Sequence, residues 1–335
     1  MTRGGLLGGA PTPELEHDLA LVDLDGVAYR GHEPIPHAAS SLVAARAGGM
    51  RLVFVTNNAS REPEEVAQQL TSLDIPTDPH EVLTAAQAAA VLLATRLSPG
   101  DRVLVVGGQG LRTATEQAGF TVVERAADDP VAVVQGFSPD LGWRDLAEAA
   151  YAVQRGAWHV ASNLDLSLPT ERGFAPGNGS LVGAVQNATG VRPDSSGKPS
   201  PAMYELAIER AGARAPLVVG DRLDTDLAGA RAGGLVGLHV LTGVSSARDA
   251  VLARPAERPH LLGADLRALH EAHPQPAKDP EGWWTCRDAA ARWDEGRLEL
   301  DGTGIDLVRA ACAATWELAD AGHEVDPAVV PELDV

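Results

Sequence analysis

The sequence predicts an α/β protein: a doubly wound parallel-sheet core, an inserted α/β cap domain and a small C-terminal α+β extension. Two observations predict the core. Short apolar runs recur with helical patterns between them, and three of the runs end in similar polar residues. Leu19-Ala20-Leu21-Val22 runs into Asp23-Leu24-Asp25-Gly26, Leu52-Val53-Phe54-Val55 into Thr56-Asn57-Asn58, and Pro216-Leu217-Val218-Val219 into Gly220-Asp221. Each run has the length and bounding turn signals of a fully buried parallel strand. Helical patterns over roughly 35–47, 63–73, 85–96 and 201–212 supply the crossovers of βαβ units. Ligands of such sheets sit beyond the carboxyl ends of the strands, so the three polar endings are expected to converge although they are far apart in sequence.

The third observation is a second alternating set between Pro99 and Arg192. Its strands are expected at 103–106, 132–134 and 159–161, with helices near 110–118, 144–155 and 179–189. The expected domains are therefore a disordered tail over 1–17, a core from 18–98 and 193–273, a cap over 99–192, and an extension over 281–335. Beyond Leu241-Thr242-Gly243 the chain reads as less regular, and the prolines from Pro274 to Pro280 read as a linker. Arg297-Leu298-Glu299-Leu300 reads as a strand. Residues 305–319 read as an amphipathic helix with Ile305, Val308, Ala311, Cys312 and Trp316 on one face. Trp283, Trp284, Trp293 and Trp316 are expected to form core in this tail, which is too small to be secure alone and is expected to pack against something.

Composition excludes several function classes. A chain of 335 residues with 44% hydrophobic and 22% charged residues is ordinary for a globular protein. The formal net charge of −19 disfavours nucleic acid and anionic membranes as partners. No apolar run is long enough to span a bilayer, and Gly5-Leu6-Leu7-Gly8-Gly9 is too short for a signal-peptide core. Two cysteines, Cys286 and Cys312, form no disulfide framework, which fits a reducing, cytoplasmic location. Of the 27 basic residues only Lys198 and Lys278 are lysines. A lysine kept against such a bias suggests a need for a compact point charge on a flexible stem. Lys278 lies in the Pro-rich stretch. Lys198 stands in Ser-Gly-Lys-Pro ahead of a helix and is expected at the rim of the sheet.

The polar endings suggest chemistry. Asp23 and Asp25, two residues apart at the end of a buried strand, can approach one pocket, one carboxylate attacking phosphorus and the other donating a proton. The alternative is a strand-to-turn transition in which Asp and Gly serve the backbone. Thr56-Asn57-Asn58 offers a hydroxyl and successive backbone N–H groups, a corner that can hold phosphate, although Asn is also a common turn residue. Asp221, Asp224 and Asp226 supply oxygen ligands suited to Mg²⁺; the alternative is acids at a helix start, where the dipole favours them. His159, in an apolar strand, reads as structural.

Taken together, Asp23-x-Asp25-Gly26, Thr56-Asn57, Lys198-Pro199 and Gly220-Asp221 with Asp226 resemble the four motifs of the haloacid-dehalogenase-like hydrolases, in order. Asn163-Leu164-Asp165, Leu168-Pro169, Pro176-Gly177-Asn178-Gly179-Ser180-Leu181 and Ala188-Thr189-Gly190 resemble the branch with the larger α/β cap, which includes nitrophenyl-, phosphoglycolate and pyridoxal-phosphate phosphatases. The C-terminal segment resembles that of actinobacterial glycerol-3-phosphate phosphatases. The resemblance implies that Asp23 is the nucleophile and Asp25 the general acid/base. It implies that Asp23, the backbone carbonyl of Asp25 and Asp221 hold Mg²⁺, that Thr56, Asn57, Asn58 and Lys198 bind the phosphoryl group, and that Asp226 orients Lys198 or the metal shell. Leu168 to Arg172 match a substrate-specificity loop. Leu168 stands where pyridoxal-phosphate phosphatases carry His, which disfavours an aromatic phosphate; together with the resemblance of the C-terminal segment this favours glycerol 3-phosphate, then 2-phosphoglycolate. Arg172 is a candidate for meeting a substrate carboxylate, with a surface role as the alternative. The implied partner is a small phosphorylated metabolite, and a homo-oligomer is allowed. Two rivals are phosphotransfer, as in phosphomutases, and a non-catalytic binding protein. The cap insertion point disfavours the first, and the intact aspartates disfavour the second.

Overall fold

The computed structural model describes residues 5–170 and 172–335. The chain divides into two compact units, Met1–Val53 with Ile208–Val335, and Phe54–Ala207.

In the first unit the strand Leu19–Val22 pairs in parallel with Pro216–Gly220, which pairs with Val236–Val240, which pairs with Leu261–Gly263. All four residues of Leu19–Val22 are buried, as expected of a strand covered on both faces. Val236–Val240 was not legible as a strand because Gly237 and His239 interrupt its apolar run. The structure uses both: a Cβ at Gly237 would collide with Leu227, and His239 is fully buried.

The C-terminal segment forms an antiparallel sheet of Ala277–Lys278, Trp284–Cys286, Ala289–Asp294 and Arg297–Asp301, with the helix Gly304–Asp320 packed on it. The expected linker thus contributes the edge strand Ala277–Lys278. The helix does not build a separate core. Val308, Ala311, Cys312 and Trp316 share one cluster with Val251 and Leu262 of the same unit. Trp316 Nε1 donates to Ala250 O at 3.2 Å, and the buried Arg309 donates to Leu262 O and Asp306 Oδ1, both at 2.6 Å. Leu6 is buried in the same cluster, and Pro13–Glu16 is helical, so residues 5–17 are not a disordered tail. Residues 1–4 lie outside the described residues.

His260 is a pH-sensitive joint in this unit. Its Nδ1 accepts the Gly237 N–H at 3.1 Å, which requires an unprotonated ring nitrogen. Burial first, and then the charge of Arg231, push its pKa down to about 4. The stability it contributes is therefore complete above its ordinary pKa of 6.5 and is lost as pH falls from there toward 4. We expect the wild-type Tm to drop by several degrees across this window. His260→Asn, which keeps an acceptor near the Nδ1 position without titrating, should make the slope shallower, leaving the part that His239 and the other buried histidines contribute. Equal slopes for the two proteins would refute the assignment.

The second unit contains the end of the strand Arg51–Thr56, paired with Val82–Thr84. It also holds a five-stranded parallel sheet in the order Asp194–Ser195, Trp158–Ala161, Ala132–Gln135, Arg102–Val106, Thr121–Val123. The helices Gln109–Gln117, Trp143–Gln154 and Asn178–Thr189 stand where the apolar periodicity placed them. The hairpin Ser167–Thr170 with Gly173–Pro176 was not anticipated. His159 is buried, with Nε2 at 3.2 Å from Gln135 Oε1, consistent with a structural histidine.

Candidate active site

The candidate residues form two sets, one in each unit. In the first unit, Asp23 N–H donates to Val219 O at 2.9 Å, so the strand ladder continues into Asp-Leu-Asp-Gly. The chain then turns sharply, with Val27 N–H and Ala28 N–H on Leu24 O at 3.2 and 2.9 Å. Gly26 sits at φ +85°, where a side chain is strained, and a Cβ there would also collide with the Asp221 carboxylate. Gly243 is cut away against the same carboxylate. Asp221 is fully buried; Val244 N–H donates to its Oδ2 at 2.6 Å, and its backbone carbonyl accepts Ser245 N–H at 3.1 Å. His239 Nε2 stands 3.2 Å from that same carbonyl. Burial pushes the His239 pKa down to about 4, so this histidine is neutral at pH 7.

Leu223–Leu227 forms a single π-helical turn, a feature concentrated at functional sites, before Ala228–Ala232 continues as α-helix. The turn brings the buried Asp226 against Gly220, where a Cβ would not fit, and Arg222 N–H donates to Asp226 Oδ2 at 3.2 Å. Asp23, Asp221 and Asp226 thereby place one oxygen each within 4.8 Å of one another. Three carboxylates this close repel, by roughly 3 kcal/mol per pair at an effective dielectric constant of about 20. An all-oxygen, anionic donor set relieved by a divalent cation is what Mg²⁺ selects, so these residues fit the metal. Asp224 is outside the cluster and pairs with Arg222 at 2.8 Å. Partial burial pushes its carboxyl up, but the Arg222 hydrogen bond and charge outweigh this and hold it below the ordinary range. Asp25 is exposed, its Oδ1 3.4 Å from Gly31 N.

In the second unit Thr56 is buried and its hydroxyl accepts Asn58 N–H at 3.1 Å. Asn58 turns its own carbonyl to Ser60, accepting from Ser60 N at 2.8 Å and Ser60 Oγ at 2.9 Å. Its side chain thus serves the turn. Asn57 is bound to the Lys198 backbone in both directions: Lys198 N–H donates to Asn57 Oδ1 at 2.9 Å, and Asn57 Nδ2 to Lys198 O at 3.2 Å. Lys198 is only 3% exposed, and its ammonium donates to Val55 O at 3.1 Å. The expectation of a rim position is therefore corrected: the stem is buried, and a backbone carbonyl holds the charge. Gly197 makes this possible, since a Cβ there would meet the Ser162 carbonyl.

Arg172 is exposed at the hairpin turn, its N–H on Thr170 Oγ1 at 3.3 Å, and nothing in its own unit brings it to Lys198. Glu171 of the same loop lies outside the described residues. Sequence reasoning missed the support of Asp221 by Gly243, Val244 and His239. It also gave no role to Asp165, whose carboxylate accepts from Asn57 Nδ2.

Comparisons with known proteins give the family. A family model described as haloacid dehalogenase-like hydrolase matches residues 20–121, and a second HAD-hydrolase-like model matches 195–269. The D-glycerol 3-phosphate phosphatase of Mycobacterium tuberculosis is 48% identical over 308 residues, spanning 90% of this chain and 86% of that protein. The chain belongs to the haloacid dehalogenase-like hydrolases. Among solved structures, this hydrolase is similar to the glycerol phosphate phosphatase of Mycobacterium tuberculosis in complex with magnesium, at a TM-score of 0.85 and 45% identity, covering 94% of each chain. The 4-nitrophenylphosphatase of Thermotoga maritima matches at a TM-score of 0.73 and 26% identity, over 78% of this chain and 99% of that one. Among the described residues, no helix of this hydrolase is long and apolar enough to cross a membrane.

Proposed function

We propose that the chain is a Mg²⁺-dependent phosphatase that hydrolyses a small phosphomonoester, glycerol 3-phosphate first and 2-phosphoglycolate next, through an aspartyl phosphate on Asp23. The observation that carries the reading is the set of Asp23, Asp221 and Asp226 oxygens within 4.8 Å, at the carboxyl ends of adjacent parallel strands. Asp23, Asp221 and the backbone carbonyl of Asp25 would hold Mg²⁺, whose charge, when bound, offsets the repulsion between Asp23 and the phosphate. An Asp23 oxygen attacks phosphorus while the ester oxygen leaves, taking a proton from Asp25. Asp25 then takes a proton from water as that water attacks the same phosphorus, which frees Asp23 and inorganic phosphate. The Thr56 hydroxyl, the Asn57 backbone N–H and the Lys198 ammonium receive the phosphoryl oxygens, the Asn57 side chain being engaged with Asp165 and the Lys198 backbone, and a buried cation is worth more there than one in water. Asn58 contributes through the turn it closes.

The substrate reading is supported by the similarity to a D-glycerol 3-phosphate phosphatase over 90% of this chain, and by Leu168, half-buried in the hairpin where pyridoxal-phosphate phosphatases place His. A cytoplasmic site of action agrees with two buried, unlinked cysteines, and the net charge of −19 with the absence of a nucleic-acid partner. The test is a panel of phosphomonoesters with Mg²⁺, with chelator and with Ca²⁺. Glycerol 3-phosphate should exceed pyridoxal phosphate in kcat/KM by about tenfold or more. Turnover should vanish with chelator and return with Mg²⁺, while Ca²⁺ binds but supports little chemistry because its larger shell misplaces the nucleophile. A preference for pyridoxal phosphate would overturn the substrate reading, and full turnover without metal would overturn the mechanism.

A further inference from the structure

We infer that Asp165 is a positioning residue for the phosphoryl site: its carboxylate locks the Asn57 side chain, which in turn fixes the backbone of Lys198. The inference rests on the reading of Asn57 and Lys198 as phosphoryl ligands. Asn57 Nδ2 donates to Asp165 at 3.1 Å (Oδ2) and 3.3 Å (Oδ1). An ionised carboxylate only accepts hydrogen bonds, so it settles which end of the Asn57 carboxamide faces it. The other end, Oδ1, is then aimed at Lys198 N–H, which it accepts at 2.9 Å. One acceptor thus sets the orientation of a side chain that clamps Lys198 from both its N–H and its C=O.

Asp165 is itself held by rigid neighbours. Its N–H donates to Asn163 Oδ1 at 3.2 Å, and its carbonyl accepts Gly179 N–H at 2.8 Å. Gly177 and Gly179 press so closely on the 164–165 backbone that neither has room for a Cβ. Asn163 Nδ2 in turn donates to Asn57 O at 2.7 Å, and the buried Asn178 Nδ2 to Asn163 O at 2.7 Å. The loop after Trp158–Ala161, the start of the helix Asn178–Thr189, Asn57 and Lys198 therefore form one hydrogen-bonded frame. A catalytic group needs such a frame, because small displacements of a charge cost large factors in rate.

The experiment uses the fact that the chain has two lysines. Full-length protein labelled with ¹⁵N-lysine gives two backbone amide signals, with Lys278 as an internal reference. Asp165→Ala should speed hydrogen exchange at the Lys198 amide by about tenfold or more, the worth of roughly one hydrogen bond, and leave Lys278 unchanged. Asp165→Asn, which can still present an acceptor, should recover most of that protection. In kinetics, Asp165→Ala should lower kcat/KM by roughly 10–100-fold, as loss of a supporting partner does. In an Asn57→Ala background the same change should add less than about twofold, because the route runs through Asn57. An unchanged Lys198 amide in Asp165→Ala, or an undiminished loss in the Asn57→Ala background, would overturn the inference. If the protein turns over no phosphomonoester, the functional reading fails separately, and the Lys198 amide alone decides whether Asp165 holds this backbone.

Discussion

Asp23→Asn should lower kcat by roughly 10⁴-fold or more, the scale seen when a covalent nucleophile is removed. The amide matches the carboxylate in shape, so the turn at Gly26 and the ladder bond to Val219 are retained. The expected effect on stability has the opposite sign to the effect on rate. Asp23 is one of three carboxylates within 4.8 Å, two of them fully buried, and neutralising it removes like-charge repulsion. In metal-free buffer the variant should therefore melt no earlier than wild type, while the increase in Tm that Mg²⁺ gives wild type should shrink. Kinetics with and without Mg²⁺, set beside thermal melts, check both halves. A variant that melts much earlier without metal would make Asp23 a structural residue.

Lys198→Arg is the second large effect, and in a chain with two lysines among 27 basic residues it is the substitution that the composition itself suggests as mild. We expect kcat/KM to fall by about a hundredfold or more. The ammonium is a compact charge on a stem that is 3% exposed, held by Val55 O at 3.1 Å. A planar guanidinium is bulkier and asks for forked partners, and a misplacement of about 1 Å costs on the order of a hundredfold in rate. Because the stem is buried, overpacking should also cost about 1–3 kcal/mol and lower the Tm by a few degrees. Assays well below that Tm separate the two effects. Lys198→Met, close in volume but neutral, should keep the Tm nearer wild type and lose at least as much activity. Near-normal kcat/KM in Lys198→Arg would refute the point-charge argument.

The legible parts of this molecule are those where one local signal suffices. A buried strand that ends in Asp-x-Asp-Gly reads directly, because an apolar run must stop where carboxylates begin. Three such endings implied a shared sheet edge, and the structure brings Asp23 and Asp221 together on neighbouring strands. What did not read depends on tertiary context. Ala289–Asp294 is alanine-rich and lacks β propensity, yet it pairs as a strand because the helix Gly304–Asp320 covers Ala291. Lys198 read as a rim residue because nothing local announces that Gly197 lets its backbone sink beneath Ser162. Asp165 drew no role because its partner Asn57 lies 108 positions away. Asp224 and Asp226 look alike in sequence; the π-helical turn separates them, sending one to Arg222 and the other to the acidic cluster.

The central claim is covalent transfer of the phosphoryl group to Asp23, and trapping that intermediate tests it most directly. Asp25→Asn should stall the second step, since no base remains to activate water. With 4-nitrophenyl phosphate and Mg²⁺ the first step should still proceed, because nitrophenolate leaves without needing a proton. After an acid quench, borohydride reduces an acyl phosphate to the alcohol, so peptide mass spectrometry should find homoserine at position 23 in Asp25→Asn, and none when Asp23→Asn is added. Homoserine at another aspartate, or none anywhere under conditions where a burst of nitrophenolate is released, would contradict the account.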